Sequence, residues 1–292
     1  QVDGGFGPFA DYMRFMRRQG ELAAMQRQPV LVFTDNAGRD WSVRPAPLRP
    51  FETLGPSFLV GIVVGVVAWL VSAAIFVFRP RDVSARYLLL SGACTVFFAT
   101  CSIVYTTREL GLPTNAFLFI NNLNALGGNL FSAALFCLLL HYPRRLAPAW
   151  VGLAGVGAFL VWFVAQAIGA FPSLSVARRL MSLIAIAGTF VLAAVHWRNT
   201  RSDPVARAAL GWFLLSWVVV VAIFAGVILT PQMFGVDTSR LQPFGFLSFL
   251  LVYGGLAFGI LRFRLSDLGE WWARIAAWML GLAVLAALDL LF

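Results

Sequence analysis

The chain reads as an all-α polytopic membrane protein of about eight transmembrane helices, preceded by a small α+β segment outside the membrane. Three observations predict this class. Of 292 residues, 60% are hydrophobic and 12% charged, against roughly 45–50% and about 25% in ordinary soluble domains. The apolar residues gather into eight runs, each near the ~20 residues needed to cross a bilayer. The arginines concentrate in alternate connectors, the charge asymmetry of a membrane-threaded chain. A soluble globule, a disordered tail and a nucleic-acid-binding domain are excluded, the last despite a net charge of +9.

The elements follow in order. Residues 1–54 form the extracytoplasmic segment. Phe9–Leu22 has helical spacing, with Phe9, Met13, Met16 and Leu22 on one face and Arg14, Arg17 and Arg18 elsewhere. Pro29–Thr34 and Asp40–Arg44 read as strands around the loop Asp35-Asn36-Ala37-Gly38. One helix and one hairpin bury too little to fold alone. The segment is therefore either the second half of a small domain or a layer packed on the bundle, and its role is sensing and docking or merely that of a lid.

Residues 55–261 hold seven spans: Pro56–Phe78, Tyr87–Tyr105, Asn115–Tyr142, Trp150–Phe171, Leu180–Trp197, Ala208–Leu229 and Phe244–Leu261. Prolines 80, 113, 143, 172, 204, 231 and 243 punctuate the connectors. Backbone groups in hydrocarbon must bond within their own segment, so the spans are helices. Residues 262–274 alternate Leu265, Leu268, Trp271 and Trp272 with charged groups and predict an amphipathic helix at the cytoplasmic interface. Residues 275–292 make an eighth span whose apolar run reaches Phe292, a pattern that predicts continuation.

Arginine placement orients the spans. One set of connectors carries Arg79, Arg81, Arg86, Arg144, Arg145, Arg198, Arg201, Arg207, Arg262, Arg264 and Arg274; the other carries Arg108, Arg178, Arg179 and Arg240. The richer side is cytoplasmic. All basic residues are arginine, read as the coding bias of a GC-rich bacterial genome, which puts the chain in a bacterial inner membrane.

The third span carries the candidate ligand contacts. Asn121, Asn122, Asn124 and Asn129 lie on one half of that helix, Asn122 and Asn129 within about 20° of each other. Amides in hydrocarbon need partners and face the bundle interior or a cavity. They are interhelical glue or the polar wall of a ligand pocket. Asp289 is the one acidic residue well inside a span and a possible polar membrane site. His141 and His196 close the third and fifth spans on the cytoplasmic side. As axial haem ligands they would set the cofactor at the membrane rim, so the interfacial-belt reading is preferred. Gly61 and Gly65, and Gly152, Gly155 and Gly157, are helix-packing features. The sequence offers no metal-ligand cluster, P-loop, nucleophile elbow or paired intramembrane carboxylates, so catalysis is unsupported and no cofactor is expected.

The stretch Arg262-Phe-Arg264-Leu-Ser-Asp267-Leu-Gly-Glu-Trp271-Trp272, followed by a span containing Asp289, resembles the end of the sensor region of ComP-like bacterial histidine kinases. The Asn-rich third span ending in Leu140-His-Tyr-Pro-Arg-Arg145 is similar to the same group, and Pro29–Arg44 resembles the closing hairpin of the PDZ-like domain found there. The resemblance implies spans before residue 1 and after Phe292, then a cytoplasmic kinase. It also implies a homodimer, a response regulator as partner, and in some members quorum-sensing signals. No phosphoacceptor or ATP-binding motif occurs in this chain.

The function expected is thus recognition of an apolar or amphipathic signal in the bundle, with Arg262, Arg264, Asp267, Trp271 and Trp272 as the relay. The alternatives are a transporter or channel subunit and a structural accessory subunit of a membrane complex.

Overall fold

Prolines and acidic caps set where the helices begin. The computed structural model describes residues 8–46, 49–50, 53–108, 110–229, 231, 238 and 241–264. Helix α1 (Phe9–Gln26) leads into an antiparallel hairpin of β1 (Leu31–Thr34) and β2 (Asp40–Val43), with Phe33 opposite Trp41. Helix α2 (Pro56–Phe78) starts on a proline, which costs nothing at a position whose N–H has no intrahelical acceptor. In α3 (Val83–Thr106), the Asp82 carboxylate caps the helix by accepting from the Ser84 amide at 2.9 Å. Pro113 and Pro148 immediately precede α4 (Thr114–Leu139) and α5 (Ala149–Ala167). After α6 (Leu174–Asn199), Asp203 caps α7 (Pro204–Ile223), accepting from the Ala206 amide at 3.0 Å.

Six helices, α2 to α7, are long and apolar enough to cross a membrane. The seventh expected span is different. The apolar run is divided between a single turn at Gln242–Gly245, a 3-10 turn at Phe246–Ser248 and α8 (Phe249–Arg264). Gly245 lies close against Ile228, so the chain enters α8 along the π-helical end of the preceding element, Phe224–Leu229. The 16 described residues of α8 cover about 24 Å. The expected interfacial helix and eighth span lie outside the described residues, apart from the last turn of α8.

The bundle is built around α3 and α4. Helix α3 packs between α2 and α4; α5 and α6 rest on α4; α8 packs on α7 and returns to α2. Gly61 meets Ile103 and Gly65 meets the Val96 backbone, so this small-residue pair serves α2–α3 packing within the chain. The largest core joins α2, α3, α4, α7 and α8 through Phe98, Phe131, Trp217, Phe249 and their neighbours. Phe98, Phe131 and Phe249 stand edge to face with centroids 5.2–5.5 Å apart.

Polarity runs opposite to that of a water-soluble fold. Val77, Leu153, Val161 and Ile168 are about 70% exposed (70%, 68%, 71% and 72%), whereas Ser91, Thr95, Thr189 and His196 are buried at 1% or less. A helix face that is apolar outward and polar inward suits hydrocarbon surroundings. The buried hydroxyls are satisfied internally: Thr95 and Tyr253 share a hydrogen bond of 2.7 Å, and the Trp217 indole donates to Thr189 at 2.9 Å.

The two ends of the bundle differ. At one end Arg144 reaches from the α4–α5 connector to the Asp203 carboxylate (3.0 Å) in the α6–α7 connector and to the Asn199 carbonyl (3.3 Å) at the end of α6. Arg79, Arg81 and Arg145 belong to connectors at this end. At the other end, where the interhelical connectors carry fewer arginines, α1 lies across the α3–α4 connector and touches Gly169 after α5.

Helix α1 of the head therefore packs on the bundle. Its buried stripe is Tyr12, Met16, Gln19 and Ala23, with Met13 and Leu22 only partly buried. That face is rotated from the expected one and carries two polar residues, because what it meets is a polar connector. The hairpin forms within the expected strand ranges but has little cover: Val32, Phe33, Trp41 and Val43 are all exposed.

Candidate functional site

Helix α1 is held by polar groups at each turn. The Gly111 amide donates to the Gln26 side chain at 3.2 Å. Arg108 donates to the Gln19 side chain at 3.0 Å and to the Tyr105 carbonyl, and its guanidinium lies 5.1 Å from the Phe117 ring centre. The Thr114 hydroxyl donates to the Met16 carbonyl at 3.2 Å. Beneath these, Tyr12 and Met16 join Tyr105, Phe117 and Leu174 in a separate apolar cluster. Helix α1 is a lid bonded to the bundle along its length.

At the centre of this contact is a four-residue polar joint. The Tyr12 hydroxyl donates to Asn121 Oδ1 at 2.9 Å, and Arg178 Nη1 donates to the same oxygen at 2.9 Å. Arg178 Nη2 reaches Asn122 Oδ1 at 3.5 Å, and the guanidinium carbon lies 5.5 Å from the Tyr12 ring centre. Burial pushes the Tyr12 phenol above its ordinary range, and the neighbouring Arg178 charge opposes that rise. Three elements (α1, α4 and α6) thus meet on one asparagine oxygen.

The four asparagines expected to form one wall divide. Asn121 and Asn122 turn toward α6 and α1. Asn124 turns to α3, donating to the Phe98 carbonyl at 2.7 Å, with its own carbonyl 3.4 Å from the Tyr105 hydroxyl. Asn129 is buried about two turns deeper, and its Nδ2 has no partner among the described residues. A single polar wall is therefore replaced by one joint, one α3–α4 bond and one deep amide. The physical reason is that the half-turn shared by these side chains faces two different neighbouring helices.

Two participants, and one buried amide that no contact ties to the joint, were not legible as site residues. Arg178 counts as a connector residue when the fifth span is begun at Leu180, but α6 starts at Leu174 and carries Arg178 within its second turn. Tyr12 sits among apolar neighbours that mark it only as a core residue. Gln166, at the end of α5, is 1% exposed, and neither of its amide atoms has a partner among the described residues. A glutamine in an apolar run was the available signal.

The histidines sit apart from this joint. His141 Nδ1 donates to the Cys137 carbonyl at 2.8 Å, and His196 Nε2 to the Leu139 carbonyl at 2.6 Å. Each is tied to the C-terminal end of α4, and the His196 nitrogen usual for axial haem ligation is engaged there. Among the described residues no group of histidine, cysteine and carboxylate side chains could hold a metal ion. Asp267, Trp271, Trp272 and Asp289 lie outside the described residues; Arg262 and Arg264 end α8, their side chains also outside the description. Compared with protein-family models and with curated proteins, the chain matches none.

Proposed function

We propose that this chain is the signal-sensing region of a bacterial inner-membrane sensor of the ComP-like histidine kinase kind. In this reading the end whose interhelical connectors carry fewer arginines, and the α1 lid, are extracytoplasmic. An apolar or amphipathic signal enters the bundle, and the output passes to a cytoplasmic kinase and its response regulator in a homodimer. The observation that carries the reading is the joint on Asn121, where a lid and two bundle helices share one acceptor. A ligand alters output only through unequal affinity for two states. Here the two states are lid bonded and lid released, because a donor that takes Asn121 Oδ1 displaces Tyr12, and a group that draws Arg178 away removes its charge from the Tyr12 ring. The inverted polarity of the bundle supports a lipid setting, and the arginine difference between the two sets of short interhelical connectors supports the orientation. Arg262, Arg264, Asp267, Trp271 and Trp272 keep their place as the expected relay, at and beyond the end of α8.

The test uses the chain in lipid nanodiscs with a photoreactive acyl probe. Label is expected in α4 to α6, together with faster tryptic cleavage at Arg17 and Arg18 of the lid. Tyr12→Phe removes one hydrogen bond of about 1 kcal/mol and is expected to speed that cleavage about fivefold without probe. Label confined to residues 8–46 overturns the pocket. Probe-independent flux of a solute in proteoliposomes overturns sensing in favour of a transporter.

A further inference from the structure

The hairpin carries an apolar face that is left largely bare among the described residues. Residues paired across an antiparallel ladder point to the same side of the sheet, and every second residue of a strand shares that side. The pairs Leu31–Val43 and Phe33–Trp41 therefore make one face, entirely apolar, and Val32–Ser42 and Thr34–Asp40 make the other. The second face is mostly polar, its Thr34 hydroxyl donating to the Asp40 carboxylate at 2.7 Å. On the first face Phe33, Trp41 and Val43 are 46%, 57% and 48% exposed and Leu31 is partly buried. None of the four belongs to a core cluster of the described residues. A two-stranded hairpin with such a face is marginal in water and calls for cover.

Three observations say what covers it. The first is place. Five residues before Leu31, the Gln26 side chain accepts from the Gly111 amide, and six residues after Val43, Arg49 donates to the Thr107 carbonyl. Each strand end is thus within about 22 Å of a residue fixed at the end of the bundle, where a membrane carrying α2 to α7 has its surface. The second is size. Four side chains fall far short of the roughly 20–30 residues a side of a stable protein–protein interface. A bilayer needs no such area, because the bundle already anchors the hairpin beside it and keeps its effective concentration high. The third is chemistry. Aromatic rings beside arginine are the composition of the membrane–water boundary. Arg39 lies 5.9 Å from the Trp41 ring centre, and Arg27 and Arg44 bracket the hairpin in sequence. Its two acids are engaged elsewhere, Asp35 with Arg39 and the turn, Asp40 with Thr34 on the other face.

We propose that this face docks on the bilayer leaflet at the lid end of the bundle. Leu31, Phe33, Trp41 and Val43 enter the boundary of headgroups and acyl chains, and the arginines lie among anionic headgroups. The inference rests on the lipid setting of the bundle and not on signal sensing.

The experiment places a nitroxide on one cysteine at a time, Val43→Cys, Ser42→Cys or Val161→Cys, in the full chain with Cys94, Cys101 and Cys137 replaced by alanine. The chain is held in nanodiscs of phosphatidylcholine with a minor share of phosphatidylglycerol. Each label is tested for collision with oxygen, which concentrates in hydrocarbon, and with a water-soluble nickel chelate. At Val43 the oxygen-to-nickel ratio is expected to exceed that at Ser42 by at least about threefold, the direction also expected at Val161, which is 71% exposed on α5. Phe33→Ser combined with Trp41→Ser is expected to bring the Val43 ratio down to that at Ser42 and to leave Val161 unchanged. If the double variant loses the hairpin, the comparison of Val43 with Ser42 decides alone. Equal ratios at Val43 and Ser42 beside a lipid-facing Val161 overturn the docking alone; an aqueous Val161 overturns the lipid setting with it. Exclusion of both reagents from Val43 also overturns the proposal and assigns the cover to protein. Line broadening relieved by dilution with unlabelled chain would then identify that protein as a second copy.

Discussion

At the scale of single residues, Asp35 shows how one side chain fixes a local structure. Its Oδ1 accepts from the Ala37 and Arg39 amides at 2.8 and 2.9 Å, and its Oδ2 from the Arg39 guanidinium at 2.9 Å. The Arg39 backbone bond is the main cause that holds this carboxyl below its ordinary value of 3.8. A depressed folded value means that the carboxylate supports the hairpin above the unfolded value and ceases to do so as pH falls through the folded one. The protection factors of amides across residues 29–46, measured against intrinsic exchange at each pH, are therefore expected to be higher at neutral pH and to fall below about pH 4, and Asp35→Ala is expected to show the low protection at both. A hairpin with equal protection at pH 3 and pH 7 would contradict this. That loop was legible in the sequence because an Asx turn with glycine uses only neighbouring residues. The joint on Asn121 was not, because helical spacing tells which side of α4 a residue occupies and not which helix stands there. Asn122 and Asn124 share a half-turn and answer to different neighbours.

At the scale of elements, two adjacent glycines of α4 make opposite predictions. A Cβ on Gly127 would sit 2.9 Å from the Phe98 amide and 3.0 Å from the Cys94 carbonyl, both backbone atoms of α3 that cannot rotate away. A Cβ on Gly128 would meet nothing within 4 Å. Gly127→Ala is expected to lower stability by about 1–3 kcal/mol through α3–α4 separation. Gly128→Ala is expected to raise it by up to about 1 kcal/mol through helix propensity alone. Thermal unfolding in detergent checks both, and an equal effect of the two changes would refute the packing account. Helix positions were well marked, since hydrophobic runs and prolines act within the segment they delimit. Ends were less so: α6 begins six residues before its apolar run at Leu180 because Arg178 lies inside it, and the run near Phe246 is interrupted by packing against Ile228.

At the scale of the whole molecule, the arginine difference between the two sets of interhelical connectors makes a topological prediction. Single cysteines at Thr53 and at Arg145, in a chain otherwise free of cysteine, are expected to react with an impermeant maleimide from opposite faces of right-side-out vesicles, Thr53 from outside. Labelling of both from one face would remove the threaded arrangement. The class of fold was readable from composition because it depends on sums over hundreds of side chains, which no single neighbour can overturn. The closing of the bundle was not readable. Helix α8 rests on α2 as well as on α7, so the order of helices around the molecule is a loop rather than a row. The segment after the hairpin leads directly into α2, and Arg49 is already bonded to the Thr107 carbonyl beside the lid. A pull on the hairpin thus has a shortcut to Arg264 across one interface, independent of α4. Two packing routes, one through α2 and one through α4 and α7, therefore converge on α8.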